Sequence, residues 1–192
     1  MRKYITRNEW LAFFNAISGS TSEIRDKPLF LMAYQHGLRV SELTGIKMSD
    51  IDFEGKTIYI RRLKNGLSTV HPLQNGTIQL LRMWLQVRQS CVVPGKYNDW
   101  LFISARGERL SRQWVYKLSQ KYSQKAGFMI PFHPHMLRHA CGYALADQGL
   151  DTRLIQDYLG HKNIHHTVLY TASNAARFSQ VWRTLPSDIQ GI

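Results

Sequence analysis

Residues 57–73, TIYIRRLKNGLSTVHPL, decide the fold class. Residues 57–63 are rich in β-branched and aromatic side chains, which suit a pleated, half-buried surface. Asn65-Gly66 then supplies a strong two-residue turn signal, because such a turn needs positive φ at both central positions. Residues 67–73 return in the opposite direction. The stretch therefore reads as an antiparallel hairpin with Lys64 beside its turn. Glu54-Gly55 turns a further strand ahead of it, giving a small antiparallel sheet.

On either side of this sheet the spacing is helical. Thr6-Arg7-Asn8-Glu9 ahead of an apolar run is a capping box, and the Ser/Gly/Thr-rich residues 18–22 end that first helix. A second helix is predicted from near Asp26, with Pro28 in its first turn, to a stop at Gly37. Helical spacing resumes at Ile78, Leu81 and Leu85, Pro94-Gly95 breaks it, and a short apolar stretch at 100–103 is followed by a turn at Gly107. Further helices are predicted over 112–126, 135–148 and 152–158, the last capped by Asp151. Phe178, Val181, Trp182 and Leu185 fall at i, i+3, i+4 and i+7, the stripe of a terminal amphipathic helix. With no internal repeat and no linker, the expectation is a single, mainly α domain over 1–192 carrying a small antiparallel sheet.

Composition narrows the class of partner. A formal charge of +12 and a pI near 10.0 call for a polyanion, either nucleic acid or an acidic membrane surface. No apolar run approaches the ~18 residues of a membrane span. Residues 10–17 are apolar, but the run is short, Asn15 interrupts it, and no signal-peptide cleavage site follows. Cys91 and Cys141 lie in unrelated contexts, which fits a reducing cytoplasm rather than a disulfide framework.

The chemistry concentrates in HPHMLRH, residues 133–139. His135 and His139 share a helix face, but a zinc hydrolase would place a glutamate directly after the first histidine, and Met136 stands there. No metal is therefore expected. Arg138, flanked by Leu137 and Ala140, has to sit partly buried, where its guanidinium needs a carboxylate or a phosphate. Arg39, in QHGLRVSEL, has the same apolar setting, with Glu42 as a ready ion-pair partner. Lys64 can reach beyond the sheet. Leu159-Gly160-His161 is followed nine residues later by Tyr170, whose ordinary pKa of about 10 means that it would need cationic neighbours to act as a nucleophile. Lys117, Lys121 and Lys125 form a basic stripe at i, i+4 and i+8, preceded by Arg109 and Arg112. Taken singly, each of these residues has a plain structural role open to it as well.

In order along the chain, GLRVSEL, Lys64, HMLRH, LGH and Tyr170 resemble the tyrosine recombinases of the phage integrase family, and the likeness covers nearly the whole sequence. The resemblance implies that family's catalytic-domain fold, with a three-stranded antiparallel sheet. It makes Arg39 and Arg138 the phosphate-clamping arginines, Lys64 the hairpin lysine, His135 and His161 the two site histidines and Tyr170 the nucleophile. Glu42 and His139 match supporting positions, and the family's use of a helix near 112–126 against DNA favours the DNA reading of the basic stripe. The activity implied is strand cleavage through a 3′-phosphotyrosyl link, with neither metal nor ATP as cofactor. HPHMLRHACG, DTRLIQDYLGH and YTASNAARF narrow the likeness to the small invertases of fimbrial phase variation. Those act on double-stranded DNA with inverted repeats, as a tetramer, with help from DNA-bending proteins. The family's usual N-terminal clamp domain is expected to be absent, and residues 171–192 are candidates for docking on a neighbouring protomer. Two rival functions remain: a catalytically silent DNA-binding regulator, and a type IB topoisomerase-like enzyme that relaxes DNA.

Overall fold

The computed structural model describes residues 2–63, 66–95 and 97–172. Three helices come first, α1 (Arg7–Ala16), α2 (Glu23–Gln35) and the short α3 (Val40–Leu43). The strands β1 (Ile51–Asp52), β2 (Thr57–Ile60) and β3 (Thr69–Pro72) follow, and then α4 (Asn75–Cys91), α5 (Arg112–Lys125), α6 (His135–Asp147), α7 (Thr152–Leu159) and α8 (His165–Thr171). The mainly α architecture with a three-stranded antiparallel sheet is as expected; the strand order is β1-β2-β3. No helix among the described residues is long and apolar enough to cross a membrane.

Local chemistry sets most boundaries. At α1 the Thr6 hydroxyl accepts from the Glu9 N–H at 3.3 Å and the Glu9 carboxylate accepts from the Thr6 N–H at 2.7 Å, so two end donors are satisfied reciprocally. Asp151 caps α7 by accepting from the N–H groups of Arg153 and Leu154. The second helix departs from expectation. It starts at Glu23 rather than near Asp26, because the Ser22 carbonyl already receives the N–H groups of Arg25 and Asp26. Pro28 therefore lies beyond the first turn, where one i→i−4 bond is forgone and its ring is buried instead. Its end is as expected: Gly37 takes φ +56° after the last turn.

The hairpin also needs correcting. Pairing between β2 and β3 ends at Ile60↔Thr69, so residues 61–68 connect the strands and Asn65-Gly66 is not a two-residue turn. The cause lies in the strand's own alternation. Ile58 and Ile60 are buried, and the next inward position is Arg62. Its guanidinium is drawn to Glu42 and to the carbonyls of His36, Gly37 and Tyr158, and its N–H donates to Ser68 Oγ at 3.0 Å instead of to the opposite strand. Lys64 and Asn65 lie outside the described residues. So do 173–192, with Phe178, Val181, Trp182 and Leu185.

Two apolar clusters divide the interior. The larger joins α1, α2, α4, α5 and the sheet around Phe13, Phe30, Tyr122 and Phe132; Phe13 meets Phe30 edge-on at 5.0 Å. The smaller gathers Cys141, Ala146, Ile155, Leu159 and Tyr170 where α6, α7 and α8 meet. Neither α3 nor α8 was expected. Each is too short to display a period, and α8, HHTVLYT, is poor in strong helix formers, so its packing on α6 and α7 carries it.

Candidate active site

The chain folds so that one carboxylate organises two arginines. Arg39 is the N-cap of α3 and Glu42 is its third residue. Glu42 accepts from the Arg39 backbone N–H at 2.9 Å and from the Arg39 guanidinium at 2.7 Å, the reaching-back half of a capping box. It also accepts from Arg62 at 3.0 Å and from the Leu63 N–H at 3.1 Å. Burial alone would raise the Glu42 pKa, but these donors and the Arg62 charge outweigh it and hold the carboxyl below its ordinary value. Arg39 itself keeps 25% of its side chain exposed against 1% for Glu42. Its fork is thus anchored on the inner side and open on the outer.

Arg138 is 1% exposed, more deeply buried than its apolar flanks alone required. Its partners are carbonyls rather than a carboxylate: Gly37 O at 2.5 Å and Leu159 O at 2.8 Å. Burial, then the charges of Arg62 and Arg39, bring its pKa down to about 10, so it remains a cation at neutral pH. Gly37 has to be glycine here, since φ is positive and a Cβ would run into Leu159 Cδ2.

Tyr170, on α8, is 1% exposed. Its hydroxyl lies 3.0 Å from His139 Nδ1. A Cβ on Gly142 would sit 2.6 Å from the Tyr170 ring, so α6 offers a flat glycine floor for it. The ring of Tyr143 meets it edge-on at 5.1 Å and that of His161 stacks at 6.3 Å. Burial pushes the Tyr170 hydroxyl up to about 12, while the Arg138 charge pulls the other way. His161 follows the left-handed Gly160 that ends α7, and its Nδ1 is 2.8 Å from Thr167 Oγ1. Burial, then Arg138 and His166, lower its pKa to about 3. His135 is more exposed; desolvation, then His139 and Arg138, bring it down to about 4. Desolvation followed by the Arg138 charge also lowers His139, so these imidazoles are neutral near pH 7.

The structure thus brings Arg39, Glu42, Arg138, His139, His161 and Tyr170 into one connected set, with His135 at its edge; its ring lies 4.8 Å from that of His139. His139, expected to be supporting, rather than the site histidine His135, makes the hydrogen bond to Tyr170. Arg62, which is not among the site residues expected from the sequence, is buried at the centre. The signal for it was present, since by strand alternation 62 continues the inward face that Ile58 and Ile60 form on β2. On α5, Arg112, Lys117, Lys121 and Lys125 are exposed, although Lys125 donates to Ser18 O at 2.8 Å. Arg109 stacks 4.4 Å over Trp100 and donates to Thr44 O at 2.7 Å, tying α3 to the loop before α5.

Comparison with known proteins gives this set a context. The phage integrase family model matches residues 3–177. Over 181 residues the chain is 50% identical to the type 1 fimbriae regulatory protein FimE of Escherichia coli (strain K12), covering 94% of this chain and 91% of that protein. FimB of the same strain is 48% identical over 181 residues, covering 94% and 90%. Among solved structures, XerA recombinase superimposes with a TM-score of 0.79 at 27% identity, covering 95% of this chain and 65% of that one. XerH site-specific recombinase bound to palindromic difH substrate gives 0.78 at 26% identity, covering 94% and 53%. This chain therefore spans about two thirds and half of those two structures. The chain belongs to the phage integrase family, the tyrosine site-specific recombinases.

Proposed function

We propose that this chain cleaves and rejoins double-stranded DNA through a covalent link on Tyr170, inverting the segment between two inverted repeats. The observation that carries the reading is the Tyr170 hydroxyl, hydrogen-bonded to His139 beside the buried Arg138. Attack by the phenolic oxygen on the scissile phosphorus forms a 3′-phosphotyrosyl bond and expels the 5′ oxygen. A hydroxyl held up to about 12 does not ionise unaided, so its proton has to leave during attack. His139, neutral and with Nδ1 facing the oxygen, is placed to accept it. Charge growing on the non-bridging oxygens would be met by Arg39, open on its outer side, and by Arg138, whose guanidinium the Gly37 and Leu159 carbonyls orient. His161 adds a neutral donor to a phosphate oxygen, and Lys64 supplies a proton to the departing 5′ oxygen. The ester energy is stored in the protein–DNA bond, so religation to a new partner strand needs no ATP. At 1% exposure neither Tyr170 nor Arg138 can reach a phosphate as the chain lies, so α8 shifts outward when DNA binds and opens the way to both.

The kinship to FimE and FimB supports fimbrial phase variation as the setting. Inversion pairs two sites, and four protomers with DNA-bending helpers would complete the assembly. Arg112, Lys117, Lys121 and Lys125 would contact phosphates, with Arg109 acting mainly through α3. Residues 171–192 remain the candidate contact between protomers. A nicked suicide substrate tests the chemistry: wild type should accumulate a covalent adduct, and Tyr170→Phe should form none while still binding the site. An adduct persisting in Tyr170→Phe would move the nucleophile elsewhere. Relaxation of plasmids lacking paired repeats would favour a topoisomerase instead.

A further inference from the structure

Arg62 touches every limb of the site without facing the place where a phosphate would sit. Its side chain is 0% exposed. One terminal nitrogen donates to Glu42 Oε2 at 3.0 Å and to Gly37 O at 3.2 Å; the other donates to His36 O at 2.9 Å and to Tyr158 O at 2.7 Å. Glu42 is the carboxylate that anchors Arg39. Gly37 O is the carbonyl that also receives Arg138. Tyr158 adjoins Leu159, whose carbonyl takes the other Arg138 nitrogen, and Gly160 and His161 come next. The stem is threaded between two glycines: a Cβ on Gly66 would lie 2.9 Å from Arg62 Cβ, and one on Gly160 would lie 2.8 Å from Arg62 Cγ. Gly66 belongs to the connection that carries Lys64. A single side chain therefore fixes the spacing of Arg39, Arg138 and His161 and packs against Gly66.

Stability alone does not account for it. Its Nε is buried with no hydrogen-bond partner among the described residues, and Arg138, another cation, shares its acceptor. An apolar side chain of similar volume in place of a buried charge is often neutral or stabilising. What an apolar side chain cannot do is bridge four acceptors on three segments with one rigid plane.

Resting on the recombinase reading above, we infer that Arg62 is a positioning residue for strand cleavage, setting the separation and aim of the two phosphate-binding arginines without touching DNA. Such a residue governs the chemical step more than binding. The full chain on the nicked suicide substrate separates these, with single-turnover adduct rate and DNA Kd measured for each variant. Arg62→Met should slow adduct formation about 100-fold while Kd changes by less than about 3-fold. Arg62→Lys keeps the charge and guards against a variant that only fails to fold; it should still be slowed about 10-fold, because one ammonium cannot span the acceptors. Added guanidinium ion should partly restore the rate of Arg62→Ala. Wild-type rates in Arg62→Met or Arg62→Lys would overturn the inference. So would a loss of Kd as large as the loss of rate, or a natively folded Arg62→Ala that guanidinium does not revive. Wild type forming no adduct would instead overturn the recombinase reading itself, and this inference with it.

Discussion

Arg62 and Tyr170 are both almost fully buried, yet different forces hold them. The half of the site built on α2, α3 and β2 is ionic: Glu42 takes four donors, and two guanidiniums converge on Gly37 O. Charge-assisted bonds of this kind are short and directional, and breaking one strands a buried charge. The half built on α6, α7 and α8 relies on neutral bonds, His139 to Tyr170 and His161 to Thr167, and on a small apolar cluster. Neutral bonds of this sort contribute about 1 kcal/mol each. On the proposed mechanism, Arg39 is anchored by the ionic half and Arg138, although carried on α6, is tied to that half through Gly37 O, whereas Tyr170, which has to travel to a phosphate, is held only by the loose half.

That contrast can be broken from either side. Gly142→Ala should have the largest effect on the nucleophile half. Alanine normally favours a helix interior over glycine by about 1 kcal/mol, but its Cβ would sit 2.6 Å from the Tyr170 ring and push it from its floor. Adduct formation should fall about 100-fold, as a misplacement near 1 Å does, with the thermal midpoint little changed. An unchanged rate would mean that the resting place of Tyr170 is irrelevant to cleavage. Glu42→Gln attacks the ionic half. Losing one partner of a buried ion network costs about 3 kcal/mol, read as a lower midpoint in urea together with weaker cleavage; a loss of rate without a loss of stability would separate clamp from scaffold.

Acid should act through the buried histidines. His36, 2% exposed, sits with its Nδ1 3.2 Å from that of His71. Burial, then the partner's charge, lowers His36 to about 3; burial, then Arg62, lowers His71 to about 4. The unfolded chain therefore binds more protons below its ordinary histidine pKa of about 6.5. The stability these groups contribute is present above that value and is lost as pH falls toward 4 and then 3. Urea midpoints from pH 7 to 4 should drop, and less steeply in His71→Gln. The smallest effect is expected on the α5 surface. Lys117→Gln and Lys121→Gln should weaken DNA binding evenly across sequences and lower the salt slope by about 1 each, leaving the cleavage rate of bound substrate unchanged.

Much of this was legible in the sequence. Thr6 to Glu9, Asp151 and Gly37 marked helix ends, and HMLRH with LGH and Tyr170 marked the site, because caps and short motifs are local. What escaped reading depended on contacts across the chain. The strands stop at Ile60 because Arg62 finds acceptors from residues 36, 37, 42 and 158, and no window around Asn65-Gly66 contains that competition. His139 rather than His135 meets Tyr170 because α8 forms and packs on α6, and HHTVLYT gives no helical period to foretell it. Strand alternation at 58, 60 and 62 did point Arg62 inward, but no local motif marked it, because its acceptors come from distant residues.

On the proposed mechanism, the hydroxyl oxygen of Tyr170, stowed against Gly142 and held by His139, is the atom that joins DNA. The most direct measurement is protease digestion of the wild-type adduct on a nicked suicide substrate, followed by mass spectrometry of the nucleotide-bearing peptide. A 3′-phosphoryl nucleotide is expected on the hydroxyl of Tyr170. A nucleotide on Tyr143, Tyr158 or any other residue would contradict it.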